Sequence, residues 1–106
     1  MDRVMELIEI VQREVADYAG PTYKGTTYYS QDDQHQLYSV IIVPDLPRPF
    51  PARIVVMARV IGDRVVIDED TTDRPLVGEL MRSGIPREQI VLGYAGETLP
   101  ADEEQP

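Results

Sequence analysis

A small single-domain α+β fold is what this sequence predicts, and three observations predict it. A chain of 106 residues is long enough for one core and too short for two. Its N-terminal segment carries apolar residues at helical spacing. The remainder breaks into short runs rich in Thr, Tyr, Val and Ile, divided by turn residues. The expected order is an N-terminal amphipathic helix, a four-stranded antiparallel meander, a short second helix and a final strand, α-β-β-β-β-α-β. These elements occupy residues 1–96, and residues 97–106 form an acidic, disordered tail.

From Arg3 to Tyr18 the apolar residues Val4, Leu7, Ile8, Val11, Val15 and Tyr18 fall on one helical stripe. Charged residues fill the other face, and Gly20-Pro21 stops the helix. Thr26 to Ser30 is the first strand, followed by the polar turn Gln31 to Gln34. His35 to Val43 is the second strand, closed by the proline-rich stretch Pro44 to Pro49. Ala52 to Ile61 is the third, and Gly62-Asp63 turns it into the fourth, Arg64 to Asp68. Asp70 to Asp73 offers capping side chains ahead of Pro75, a residue suited to a first helical turn. Leu76, Val77, Leu80 and Met81 then give the second helix one apolar face, and Gly84 suits its C-terminal cap. Pro86 to Glu88 reads as a single helical turn and Gln89 to Tyr94 as the last strand.

The second and third strands do not alternate cleanly between apolar and polar. Leu37, Ile41 and Val43 share one parity and Tyr38, Val40 and Ile42 the other, while Ile54, Val56, Ala58 and Val60 oppose Val55, Met57 and Ile61. Two helices cover one face of a small sheet, so the second apolar face calls for another chain, the alternative being helices split across both faces or the long loop folded over one. Tyr38, Val40, Ile42, Val55 and Met57 are the predicted partner-interface residues, in a homodimer or a stable heteromeric contact.

Charge narrows the function classes. The formal charge is −9, with 15 acids against 10 bases even within residues 1–96. A protein that binds nucleic acid alone neutralises phosphates with clustered Lys and Arg. Here nine arginines are scattered from Arg3 to Arg87, with Lys24 the one lysine, so direct nucleic-acid binding is not expected. The absence of cysteine removes disulfides, thiolate metal sites and thiol nucleophiles. Charges interrupt the N-terminal apolar residues, so neither a signal peptide nor a membrane span is expected, and the expected location is the cytoplasm.

Three constellations could carry chemistry. His35 is the one histidine, beside a polar turn, with no Ser or Cys partner spaced to use it as a base. Asp68, Glu69, Asp70 and Asp73 are the densest acids, but lack the mid-loop glycine and twelfth-position glutamate of a calcium loop, and helix capping accounts for them. Neither glycine-rich phosphate motif occurs. No catalytic residue, metal or cofactor is expected.

The run Val65 to Asp73, followed by Leu80-Met81-Arg82-Ser83-Gly84-Ile85-Pro86-Arg87-Glu88-Gln89-Ile90-Val91-Leu92-Gly93-Tyr94, resembles the XisI family of fdxN-element excision controlling factors. The resemblance extends to the N-terminal helix and covers most of residues 1–96. The chain departs from the family pattern in having no tryptophan between Val65 and Ile67 and in its proline-rich Pro44 to Pro51 segment. What the resemblance implies is a small α+β accessory protein in site-specific excision of a DNA element, with a separate recombinase exchanging strands and a companion called XisH. The expectation is therefore a non-catalytic regulatory protein acting through protein partners, an XisH-like companion or a recombinase. The alternative is an antitoxin-like or inhibitory subunit whose acidic surface masks a basic nucleic-acid-handling partner. An enzyme would rest on the Asp68 to Asp73 acids alone.

Overall fold

The computed structural model describes residues 3–100. Helix α1 (Arg3–Ala16) is followed by strands β1 (Gly20–Thr22), β2 (Gly25–Asp32), β3 (Leu37–Pro44), β4 (Arg53–Ile61) and β5 (Arg64–Asp70). Helix α2 (Leu76–Arg82) and strand β6 (Ile90–Leu92) complete the order, with one-turn 3-10 helices at Arg87–Gln89 and Gly93–Ala95. The fold is α+β, as predicted, with one six-stranded sheet in the order β1-β2-β3-β4-β5-β6.

The sheet holds one more strand than expected. Gly20-Pro21 does end the helix, but Gly20, at φ 145°, redirects the chain so that Gly20–Thr22 pairs back on β2. Proline is tolerated there because β1 lies at the sheet edge, where the missing N–H breaks no ladder. Neighbouring strands from β1 to β5 are antiparallel, whereas β6 runs parallel to β5. A parallel neighbour needs a crossover connection, and the segment containing α2 supplies it.

Leu7, Val11 and Val15, four residues apart, are the buried stripe of α1. They pack with Tyr38, Val40, Val56, Ala58, Val60, Val65, Ile67 and Ile90 of the sheet and with Leu76, Leu80 and Ile85. Each fully buried Val or Leu side chain contributes roughly 1.5–3 kcal/mol relative to exposure, so this one-sided cluster dominates stability.

Of the acids before α2 only Asp70 reaches the helix's first N–H; Pro75 stands at the N-cap position rather than in the first turn, and Asp68 turns to Arg59. Asp70 Oδ2 accepts from the Leu76 N–H at 2.7 Å, while its Oδ1 accepts from the Thr72 N–H at 2.9 Å and hydroxyl at 2.7 Å. At the other end Gly84, at φ 104°, closes the helix: its N–H donates to Met81 O at 3.0 Å and that of Ile85 to Leu80 O at 3.1 Å. That 5→2 and 6→1 pair is the Schellman closure, with Leu80 and Ile85 meeting in the core.

The expected tail begins at Glu97, whose carboxylate accepts from Arg87 at 2.7 Å and from the Leu92 N–H at 2.9 Å. Positions 101–106 lie outside the described residues.

Candidate protein-interaction face

Tyr38, Val40 and Ile42 alternate along β3 on one face of the sheet. Tyr38 and Val40 are 1% and 0% exposed beneath α1, so the structure corrects their placement: they are core rather than a free surface. Ile42 shares that face and is half-buried, and Val55 packs against the same core. Of the five predicted interface residues only Met57 lies on the helix-free face, opposite Ser39. The five do not form one surface. Helices α1 and α2 both took the Tyr38 side, leaving no helix over the Leu37, Ser39, Ile41 and Val43 side of β3, where Ser39 is nonetheless 6% exposed, Leu37 and Ile41 are half-buried and Val43 is exposed.

Two register shifts decide what joins that bare face. The β3/β4 register slips between Val40 and Ile41, so that Val56 pairs with Val40 but Ile54 pairs with Ile41. The extra residue, Val55, reverses the phase of β4, and Ile54 emerges opposite the face its spacing from Val56 would give it. A second slip between Met57 and Ala58 leaves Asp68 as the additional residue of β5. Its carboxylate accepts two hydrogen bonds from Arg59, Nε at 2.7 Å and Nη2 at 2.9 Å. The bidentate pair raises the Arg59 pKa further above its ordinary value and holds a fixed charge pair on this face.

Toward β6 the bare face has its own roof. Gly93 lies so close to β5 that a Cβ there would sit 3.3 Å from Ile67 O and 3.4 Å from Val66 Cγ1. Val66 and Val91 are buried accordingly. Toward β2 there is no such cover. Tyr28, Ile41 and Ile54 stand in register across three strands, with Val43 beside them, and Tyr28, Val43 and Ile54 are 55%, 43% and 38% exposed. Leu46, 84% exposed in the β3–β4 loop, and Tyr23, 82% exposed in the β1–β2 turn, stand at the same end of the sheet, joined where the Asp45 N–H donates to Lys24 O at 2.9 Å. Five of the eight large apolar side chains exposed among the described residues therefore crowd one end of the molecule, the arrangement expected of a docking surface.

The polar groups have local duties. His35 Nδ1 lies 2.7 Å from Asp32, whose carboxylate also accepts from the Gln34 N–H at 3.0 Å and shapes the β2–β3 turn; these bonds hold the Asp32 pKa below its ordinary value. The Tyr18 hydroxyl donates to Arg74 O while the Arg74 guanidinium stacks 4.1 Å above its ring. Burial pushes the Tyr18 pKa up to about 12. Among the described residues no group of three or more His, Asp or Glu could hold a metal ion, and no helix is long and apolar enough to cross a membrane. A groove of about 490 Å³ runs between Arg3, Glu6 and Ile10 of α1 and Gly84, Pro86 and Gln89, and is open and mixed in polarity.

The signal that separates the faces was present but faint. Ser39 interrupts the Leu37, Ile41, Val43 series, and Arg59 interrupts the Met57, Ile61 series, whereas no polar residue interrupts Tyr38, Val40, Ile42. One polar side chain per strand marks the helix-free face, although Ser39 itself is 6% exposed.

The family model for XisI protein matches residues 1–101. Among solved structures, a XisI-like protein from Anabaena variabilis ATCC 29413 superposes with a TM-score of 0.75 at 24% identity, covering 85% of each chain. The fdxN element excision controlling factor XisI from the same organism superposes with a TM-score of 0.71 at 20% identity, covering 88% of this chain and 87% of that one. No curated protein matches the sequence.

Proposed function

The chain belongs to the XisI family, and from that premise we propose that it is a non-catalytic accessory protein that works by binding another protein through the helix-free end of its sheet. The observation that carries this reading is the in-register strip Tyr28, Ile41 and Ile54 with Val43, apolar and uncovered on a face that the helices leave alone. An apolar strip of this kind loses unfavourable hydration when a partner covers it, and Arg59–Asp68 supplies polar specificity beside it. The partner expected from the family is an XisH-like companion or a recombinase. One solved relative is an fdxN element excision controlling factor, so a part in excising a DNA element is the role proposed for this chain. The acidic balance of −9 supports leaving any nucleic-acid contact to the partner.

The test is co-expression with the XisH-like protein of the same genome, followed by affinity capture and size-exclusion chromatography. A co-eluting complex is expected, and Ile41→Asp with Ile54→Asp should abolish it without unfolding the chain. A complex indifferent to both changes would assign binding to another surface. Duplex binding by the purified chain alone at physiological salt would contradict the division of labour.

A further inference from the structure

The two edges of the sheet are finished in opposite ways. At β6 every outward backbone group has a partner: the Ile90 N–H donates to Arg87 O, Ile90 O accepts from Arg87 Nη1 at 2.7 Å, the Leu92 N–H donates to Glu97 Oε1 at 2.9 Å, and Leu92 O accepts from the Glu97 N–H at 3.1 Å. That edge is closed. At the other side β1 covers only Gly25, Thr26 and Thr27 of the eight-residue β2. Tyr28 to Asp32 pair with β3 alone, and among the described residues no backbone hydrogen bond reaches them from outside.

The parity of this open edge follows from Pro21. Lacking an N–H, Pro21 must occupy the non-hydrogen-bonded pair opposite Thr26, so Gly25 and Thr27 turn their backbone groups toward β1. Two and four residues on, Tyr29 and Gln31 turn theirs toward solvent. The segment has few of the usual guards of an edge: no proline, no lysine, no register shift against β3, and one charge, Asp32, at its end.

We infer that Tyr28 to Asp32 is a strand-pairing edge that takes a second copy of this chain, antiparallel, about a two-fold axis at Ser30. The pairing is self-complementary. Tyr29 and Gln31 of one copy face Gln31 and Tyr29 of the other and exchange four backbone hydrogen bonds, while Ser30 meets Ser30. Asp32, the one charge in the segment, falls opposite Tyr28 rather than another acid, its carboxylate already held by His35 and the Gln34 N–H. Tyr28 also belongs to the bare apolar face, so the two-fold carries that face unbroken across both copies. Because Arg87 and Glu97 close the far edge, growth stops at two copies instead of running on into a fibre. This inference is independent of the partner proposed above.

Ser30→Cys tests it directly, since the chain has no cysteine of its own. Facing residues of a non-hydrogen-bonded pair have Cα atoms about 4.5 Å apart, within disulfide reach. Mild oxidation should convert the variant to a covalent dimer, whereas Ser83→Cys, on α2's end, should form no disulfide cross-link under the same treatment. Light scattering of the unmodified chain should give twice the 12.0 kDa mass at tens of micromolar. Gln31→Pro removes an outward N–H and should weaken self-association at least about tenfold with the melting curve retained, as edge proline is tolerated. Ser30→Lys, which sets two ammonium groups face to face, gives the same readout if the proline variant fails to fold. A monomer at these concentrations overturns the inference. So does a dimer that survives Ser30→Lys and does not cross-link at position 30.

Discussion

The two faces of this sheet are built from nearly the same kinds of residue and have opposite fates. On the face beneath α1 and α2, Tyr38, Val40, Val56, Ala58 and Ile67 are at most 1% exposed. On the other, Tyr28, Val43 and Ile54 are more than a third exposed. The comparison teaches that apolar content alone does not make a core in a small α+β domain. Coverage does, and the two helices of this chain have room for one face. The stability of this chain thus resides on one side and, on our proposal, its interactions on the other.

The strongest way to break that comparison is to remove volume from the covered face. Leu80 and Ile67 are 0% exposed and packed from both layers, so Leu80→Ala or Ile67→Ala should cost about 2–5 kcal/mol of unfolding free energy in urea titration. A loss below about 1 kcal/mol would mean that the bare face carries a larger share of the stability than its exposure implies.

A smaller loss is expected where the cover is fastened. Asp70→Ala takes the acceptor from the first N–H of α2 and from Thr72 together, and should cost about 0.5–2 kcal/mol, as loss of a helix cap does. Asp70→Asn keeps one acceptor oxygen and should recover part of the loss. This cap was legible in the sequence, because Asp70 to Asp73 before Pro75 is how short helices begin. The α1 stripe and the Gly84 closure were legible for similar reasons: each is written within four residues of itself.

What the sequence did not disclose is long-range or phase-dependent. Strand β1 hid behind Pro21, whose usual meaning after Gly20 is a stop. The parallel pairing of β6 depends on where the crossover lands. Most consequential, the bulge at Val55 reverses the parity of β4 through a β-branched residue that carries no glycine signal, so Ile54 reads with Val56 and lies opposite it. The partner-interface residues Tyr38 and Val40 were misplaced for a related reason: apolar residues of both parities left only Ser39 and Arg59 to tell inside from outside.

Alkaline pH should loosen the fastening of α1's end to the α2 turn. An unfolded tyrosine ionises near pH 10, whereas Tyr18, partly buried and donating to Arg74 O, holds its proton to about 12. The folded state therefore binds the proton more tightly, and its contribution, fully present below pH 10, is lost as pH rises from 10 through 12. Burial raises Tyr29 to about 12 as well, so Tyr18→Phe should reduce the slope of stability against pH in that window without erasing it. An unchanged slope would place the Tyr18 hydroxyl in water.

The smallest expected effect on stability is the most informative about the bare face. Val43→Gln and Ile54→Gln replace side chains already 43% and 38% exposed, each near the end of its strand at the uncovered end of the sheet, and surface changes of this kind shift stability by about 0.5 kcal/mol or less. If the face serves only the fold, these variants should be silent in every assay. If it serves a partner, the same two changes should leave the urea midpoint in place and abolish complex formation, because the hydration they restore is what the partner would have removed. Stability and association would then respond to disjoint sets of residues, and the division between the faces would be functional as well as geometric.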